Sequence, residues 1–198
     1  MSHEVGHTFN LTHDGTATST YYPGHGEWAP IMGTAYGKSI SQFSKGEYSG
    51  ANNVQDDLSI IQRHVPVMPD DHGNTNVTAT TLALDQQVIG ILGINDPADV
   101  FKISAIKGMY IDIYLDISKS NAEKISNLNT MMKLYNANGV LIQSGLVLLS
   151  GRVWIDFSCP ADGFYYVQIT KQGAEDPKTT GYSTYGVNGQ YVIWTKVW

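Results

Sequence analysis

His3, Glu4, His7 and His13 stand at the spacing of a catalytic metal site. On an α-helix residues i and i+4 share a face, so His3 and His7 can turn both imidazoles toward one ion. Glu4, next to the first of them, can reach a water held at that ion. Two imidazoles are too few for a catalytic zinc. The third must come from chain that leaves the helix and turns back beneath it, which calls for a residue tolerant of positive φ between His7 and His13. Asn10 occupies that stretch, and asparagine is the best tolerated non-glycine residue in a left-handed helix cap. The helix is therefore expected to end near Phe9 or Asn10 and the next loop to deliver His13.

This stretch resembles the metzincin clan of zinc endopeptidases. His3, Glu4, His7 and His13 match its H-E-x-x-H-x-x-G-x-x-H pattern, with Asn10 in place of the glycine, and Asp14 follows the third histidine as in the clan's HD variants. Trp28-Ala29-Pro30-Ile31-Met32-Gly33 looks like the clan's Met-turn. The resemblance implies that Met32 is an apolar floor under the histidines and no ligand, and that Tyr36 is a candidate for the tyrosine some members place near the metal. Taken alone, H-E-x-x-H reads equally well as a solvated helix face; the register of His13 and the downstream Met32 favour the metal reading.

The expected chemistry is zinc-assisted hydrolysis of a peptide bond. Three neutral imidazoles leave one zinc position open to a water, whose pKa the ion lowers toward about 7. Glu4 is the expected general base, passing the proton on to the leaving amine. No other nucleophile competes. Cys159, the sole cysteine, has no histidine near it in sequence and reads as a small buried hydrophobe, and no G-x-S-x-G elbow is present. His25 fits either a cleft-lining or a surface-loop role, whereas His64 and His72 lack partners at ligand spacing and are expected to face solvent.

Around these residues the chain changes character near residue 66. Residues 1–65 read as a helix, an irregular loop and a second helix from Lys45 to Ile61, apolar at helical spacing. The metzincin resemblance implies that this stretch is a small, mainly helical lower subdomain, and a linker is expected over 66–76, marked by prolines, Gly73 and acids. From residue 77 to 198 the period falls to two. Met109, Ile111, Ile113, Leu115 and Ile117 alternate with polar or aromatic residues, and Gly163–Thr170 and Gln190–Trp194 repeat the pattern. Shorter strands are expected over Thr80–Leu84, Val100–Ala105, Met131–Tyr135, Val140–Gln143 and Val153–Phe157, punctuated by Asn138-Gly139 and Asp162-Gly163. The overall expectation is an α+β chain ending in an all-β, jelly-roll-like sandwich.

The second part resembles the bacterial pre-peptidase C-terminal (PPC) domain. Asp70-Asp71-His72-Gly73-Asn74-Thr75, Asp99-Val100-Phe101, Leu134 to Gly139, Pro160 to Val167 and Gly186 to Tyr191 carry the resemblance in order. It implies an accessory module of a secreted bacterial protease, which in some relatives binds calcium or polymeric substrate. Asp70, Asp71 and Asp99 are either hard oxygen ligands for Ca2+ or solvated turn carboxylates.

Composition bounds the partners. The 198 residues carry 12 basic and 18 acidic side chains, a net charge of −6 with no basic cluster, so nucleic acid and anionic membranes are not expected partners. No apolar run has the length of a membrane span. Only Met1 and Ser2 precede His3, so a piece of a larger secreted protease, acting on protein or peptide substrates, is the expected origin. The alternative is a non-catalytic secretion or substrate/calcium-binding module with a vestigial zinc site.

Overall fold

The computed structural model describes residues 2–117, 127–148 and 152–198. They divide into two compact units: one made of residues 1–68 together with 172–187, the other of 69–171 with 188–198.

The first unit corrects the expected fold class. Its helices among the described residues are α1 (Ser2–Thr8) and α2 (Asp57–Gln62), and a parallel pair, β1 (Trp28–Pro30) and β2 (Ile40–Gln42), lies between them. With 39% of the described residues in strands and 7% in helices, the structure is mainly β, not a helical subdomain followed by a β part. The helix expected from Lys45 shrinks to its last turn and a half for a local reason. Gly46 and Gly50 sit at φ +75° and +74°, outside the helical region, and Asp56 caps the backbone N–H of Ser59. The apolar spacing upstream instead serves a loop packed on itself. Tyr48 is buried, stacks on Tyr22 with centroids 4.2 Å apart, and donates its hydroxyl to the Gly15 carbonyl. Asn52 and Asn53 satisfy the backbone of residues 12–16 that no strand or helix pairs.

Residues 172–187 belong to this unit although they separate two strands of the other. The Tyr185 hydroxyl donates to Asp56 Oδ1 at 2.7 Å and accepts from the Leu58 N–H at 2.8 Å, so it holds the start of α2. Gly181 offers its carbonyl to His25 Nε2 at 2.7 Å, and Ser183 bonds Glu47. Tyr185→Phe leaves the Leu58 N–H without this partner, so we expect a loss of about 1–3 kcal/mol, read as a lower urea midpoint.

The second unit is a two-sheet sandwich. Its strands are β3 (Thr80–Thr81), β4 (Gln87–Leu92), β5 (Ala98–Ala105), β6 (Tyr110–Asp116), β7 (Thr130–Asn136), β8 (Leu141–Ser144), β9 (Leu146–Val147), β10 (Arg152–Ser158), β11 (Gly163–Lys171) and β12 (Gly189–Val197). One sheet runs β4-β12-β6-β10-β9 and the other β3-β5-β11-β7-β8. Alternation turns Ile111, Ile113, Leu115, Ile155 and Ile193 of the first sheet inward, as it does Phe101, Ile103, Met132, Leu134, Val167 and Ile169 of the second, and all are buried. Strand β4 is absent from the sequence expectation because Gly90 breaks its apolar run. A Cβ there would lie 2.2 Å from the Tyr191 ring, so the glycine makes room for the neighbouring strand's largest core side chain. Cys159 is buried as expected, and burial pushes its thiol pKa up.

Candidate metal centres

Helix α1 ends in a full Schellman motif. The Leu11 N–H bonds the Gly6 carbonyl at 3.2 Å, the Asn10 N–H bonds the His7 carbonyl at 3.0 Å, and Asn10 takes φ +65° as the left-handed cap. Leu11 is then buried against the helix it has just left, and the chain carries His13 back toward His3 and His7. Asn10→Gly is expected to be neutral or slightly stabilising, while Asn10→Val forces a β-branched residue into that region and costs about 1–2 kcal/mol. Thermal midpoints of the two variants would check this.

The three histidines converge. One ring nitrogen from each lies within 4.8 Å of the others, and Nε2 of His13 is 3.0 Å from Nε2 of His7. Nδ1 of His3 meets the Ile31 carbonyl at 2.7 Å and Nδ1 of His7 meets the Leu11 carbonyl at 2.8 Å. A carbonyl can only accept, so both Nδ1 atoms carry protons and both neutral rings present an Nε2 lone pair. That second layer of bonds fixes tautomer and orientation as a metal-binding histidine requires. Burial lowers the pKa of His13, helped by His7 and His3 and opposed by Glu4, which favours the neutral imidazole that binds metal.

Met32 is fully buried beneath α1. A turn closed by the Gly33 N–H to the Pro30 carbonyl at 3.0 Å holds it there, and a Cβ on Gly6 would approach its sulfur to 2.4 Å. The Asp14 N–H bonds the Met32 carbonyl at 2.9 Å, tying the loop of His13 to this turn. Asp14 itself is buried. Its pKa is pushed up to about 7 by burial and by the nearby Asp57, with Asn53 opposing.

Glu4 is exposed and lines, with His3, Tyr21, Ile31, Thr34 and Tyr36, an open cleft of about 590 Å³. Tyr36 is 93% exposed on that cleft. Tyr21 packs on His13 with centroids 4.3 Å apart; no spacing rule in the sequence singles it out. His25 is a structural residue, its two nitrogens held by the Tyr22 hydroxyl and the Gly181 carbonyl. His64 stacks near Phe9 at 5.6 Å. His72 does not face solvent as expected: its nitrogens bond Thr80 Oγ1 and the Ile89 carbonyl, and its ring packs 4.7 Å from Phe101.

A second cluster lies in the sandwich. Asp70, Asp71, Asp96 and Asp99 bring one carboxylate oxygen each within 4.8 Å of one another. Asp96, in the turn before β5, was not among the expected ligands; its only signal is its position three residues before Asp99. Asp99 has no exposed surface. It accepts from the Tyr191 hydroxyl through Oδ2, yet Oδ1 has no hydrogen-bond partner, and neither does the buried Oδ1 of Asn74, whose amide donates to Asp70. Burial, more than the neighbouring Asp96, Asp71 and Asp70, pushes the Asp99 pKa up to about 7. Several carboxylates crowded around an unpaired buried oxygen fit a hard divalent cation of calcium's type.

Comparison with known proteins gives distant likenesses only. No family model matches the sequence, and no curated protein does. Among solved structures, the pre-peptidase C-terminal domain of a Bacillus anthracis collagenase is 17% identical with a TM-score of 0.44, covering 65% of this chain and 98% of that one. PliG of Aeromonas hydrophila, a periplasmic inhibitor of g-type lysozyme, is 12% identical with a TM-score of 0.40 over 61% of this chain and 97% of that one. CorA of Methylomicrobium album BG8, a surface-associated copper-binding protein, is 10% identical at 0.39, over 60% and 98%. Overlaps this loose leave function to be argued from the residues themselves. Among the described residues, no helix is long and apolar enough to cross a membrane.

Proposed function

We propose that the first unit is the zinc-binding part of a metzincin-type endopeptidase, and that the sandwich is a PPC-like accessory module of a secreted bacterial protein. The convergence of His3, His7 and His13, with two Nδ1 atoms committed to backbone carbonyls, carries this reading. These three residues would hold zinc over Met32. When bound, the ion would acidify a water and polarise the scissile carbonyl. Glu4 would be the base that takes that water's proton and passes it to the leaving amine, a role its place beside His3 on an open cleft permits. Tyr21 and Tyr36 line the same cleft as Glu4, so a peptide held there would meet both. In the sandwich, Asp70, Asp71, Asp96 and Asp99 would hold calcium, for which the unpaired Oδ1 of Asp99 is the supporting observation.

One observation favours a second reading, a non-catalytic secretion or substrate-binding module with a vestigial zinc site. Helix α1 has seven residues and carries His3 in its first turn, where helices fray. Casein hydrolysis by the zinc-loaded chain separates the two. An endopeptidase predicts that Glu4→Ala slows hydrolysis by about 10²–10⁴-fold with zinc content unchanged. Equal rates for the two proteins would leave only the binding module.

A further inference from the structure

The outer face of the sheet β4-β12-β6-β10-β9 carries a row of aromatic side chains that its core does not need. Strand register sets Gln87, Trp194, Tyr114 and Trp154 side by side across four strands, each pointing away from the buried Ile193, Leu115 and Ile155. Cross-strand pairing explains why Trp194 and Tyr114 stack, with centroids 5.2 Å apart and planes 17° apart. It does not explain the polar side chains gathered around them. A cleft of about 540 Å³ opens over Trp194, walled by Asp85, Gln86 and Gln87 on one side and by Asp116 and Arg152 on the other.

The walls and floor are held in place. Asp85 stands at φ +56°, a conformation non-glycine residues seldom adopt, and is kept there by its N–H to Thr195 Oγ1 and by the Val197 N–H to its Oδ1, both at 3.0 Å. Arg152 Nε donates to Asp116 Oδ2 at 2.9 Å, and its guanidinium lies 5.5 Å over the Trp194 ring. One buried carboxylate, Asp112, accepts from the Trp154 indole at 3.0 Å, the Trp198 indole at 2.6 Å and the Tyr114 hydroxyl at 3.2 Å. Tyr114 and Trp154 are thus fixed before any ligand arrives, and Trp194 is held through its stack on Tyr114 and the Arg152 guanidinium, which lowers the entropy cost of binding.

Aromatic faces carry negative π density and attract the weakly positive C–H face of a sugar ring. Carboxylates, side-chain amides and a guanidinium in the same cleft supply paired acceptors and donors for neighbouring hydroxyls. Two carboxylates against one guanidinium disfavour an acidic ligand, and the aromatic row, spaced about 4.8 Å per strand, is longer than one sugar. We propose that this face binds a neutral polysaccharide, with Trp194 as its principal contact.

Pelleting of the full chain with insoluble chitin, cellulose or xylan tests the proposal, with collagen fibrils alongside. At least one polysaccharide is expected to carry the chain down, Trp194→Ala to weaken that retention about tenfold or more, and Phe164→Ala, an exposed aromatic on the other sheet, to leave it unchanged. Gln87→Ala, an exposed amide, reads the same site should Trp194→Ala lower the thermal midpoint; it is expected to weaken retention severalfold. Retention on none of the three polysaccharides overturns the proposal. So does retention that survives both variants, or retention on collagen alone that Trp194→Ala removes.

Discussion

His13→Ala is expected to abolish stoichiometric zinc binding while leaving the sandwich folded. His13 comes from a loop, but its position is set by the Asn10 cap, by Leu11 under the helix and by the Asp14 N–H on the Met32 carbonyl. Removing it leaves His3 and His7, an i,i+4 pair too few to hold the ion tightly. The loss should exceed the roughly 10–100-fold that removal of an outer-layer partner costs a metal site. Because a ligand that binds only the folded state stabilises it, by about 2.7 kcal/mol at a hundredfold excess over Kd, zinc should raise the thermal midpoint of the wild-type chain and not that of His13→Ala. Glu4→Gln should keep the zinc-dependent rise. Elemental analysis and thermal unfolding with and without zinc check both statements.

The second large effect is a pH dependence of the metal-free sandwich. Burial pushes the Asp99 carboxyl up to about 7 in the folded chain, from an ordinary value of 3.8. The folded state therefore holds a proton that the unfolded chain has lost between these two values, so stability is fully present below about pH 4 and falls as pH rises toward 7. The shift corresponds to a loss on the order of 2–4 kcal/mol. A divalent cation at Asp70, Asp71, Asp96 and Asp99 would take the place of that proton, so calcium should restore stability at pH 7 and do little at pH 4. Asn in place of Asp99 should remove that residue's share of the pH slope, leaving the share of Asp14 and Asp57, whose pKa values are also raised, and should remove most of the calcium effect. Urea unfolding in chelator, at both pH values and with calcium added back, measures all three. A flat pH profile in chelator would remove Asp99 from the cluster's energetics.

What the sequence made legible was local. The His3–His7 pair follows from helical periodicity, and the delivery of His13 follows from the conformational tolerance of Asn10, each within a dozen residues. Most sandwich strands announce themselves by alternation for the same reason. Interactions between distant residues were hidden. The apolar spacing of residues 45–61 looks helical, yet Tyr48 is spent on Tyr22 and Gly15, and two glycines keep the segment out of a helix. Gly90 hid β4 because its purpose is the ring of Tyr191, a hundred residues on. Asp96 joins Asp70 and Asp71 only once β5 has been placed, and residues 172–187 look like an ordinary connection until Tyr185 is seen bonding Asp56.

The most direct test of the zinc site is an X-ray absorption spectrum of the zinc-loaded chain. The arrangement of His3, His7 and His13 predicts three imidazole nitrogens at about 2.0–2.1 Å and one further oxygen donor, with one imidazole lost in His13→Ala. A wild-type spectrum with fewer than three imidazoles, or one unchanged by His13→Ala, would contradict it.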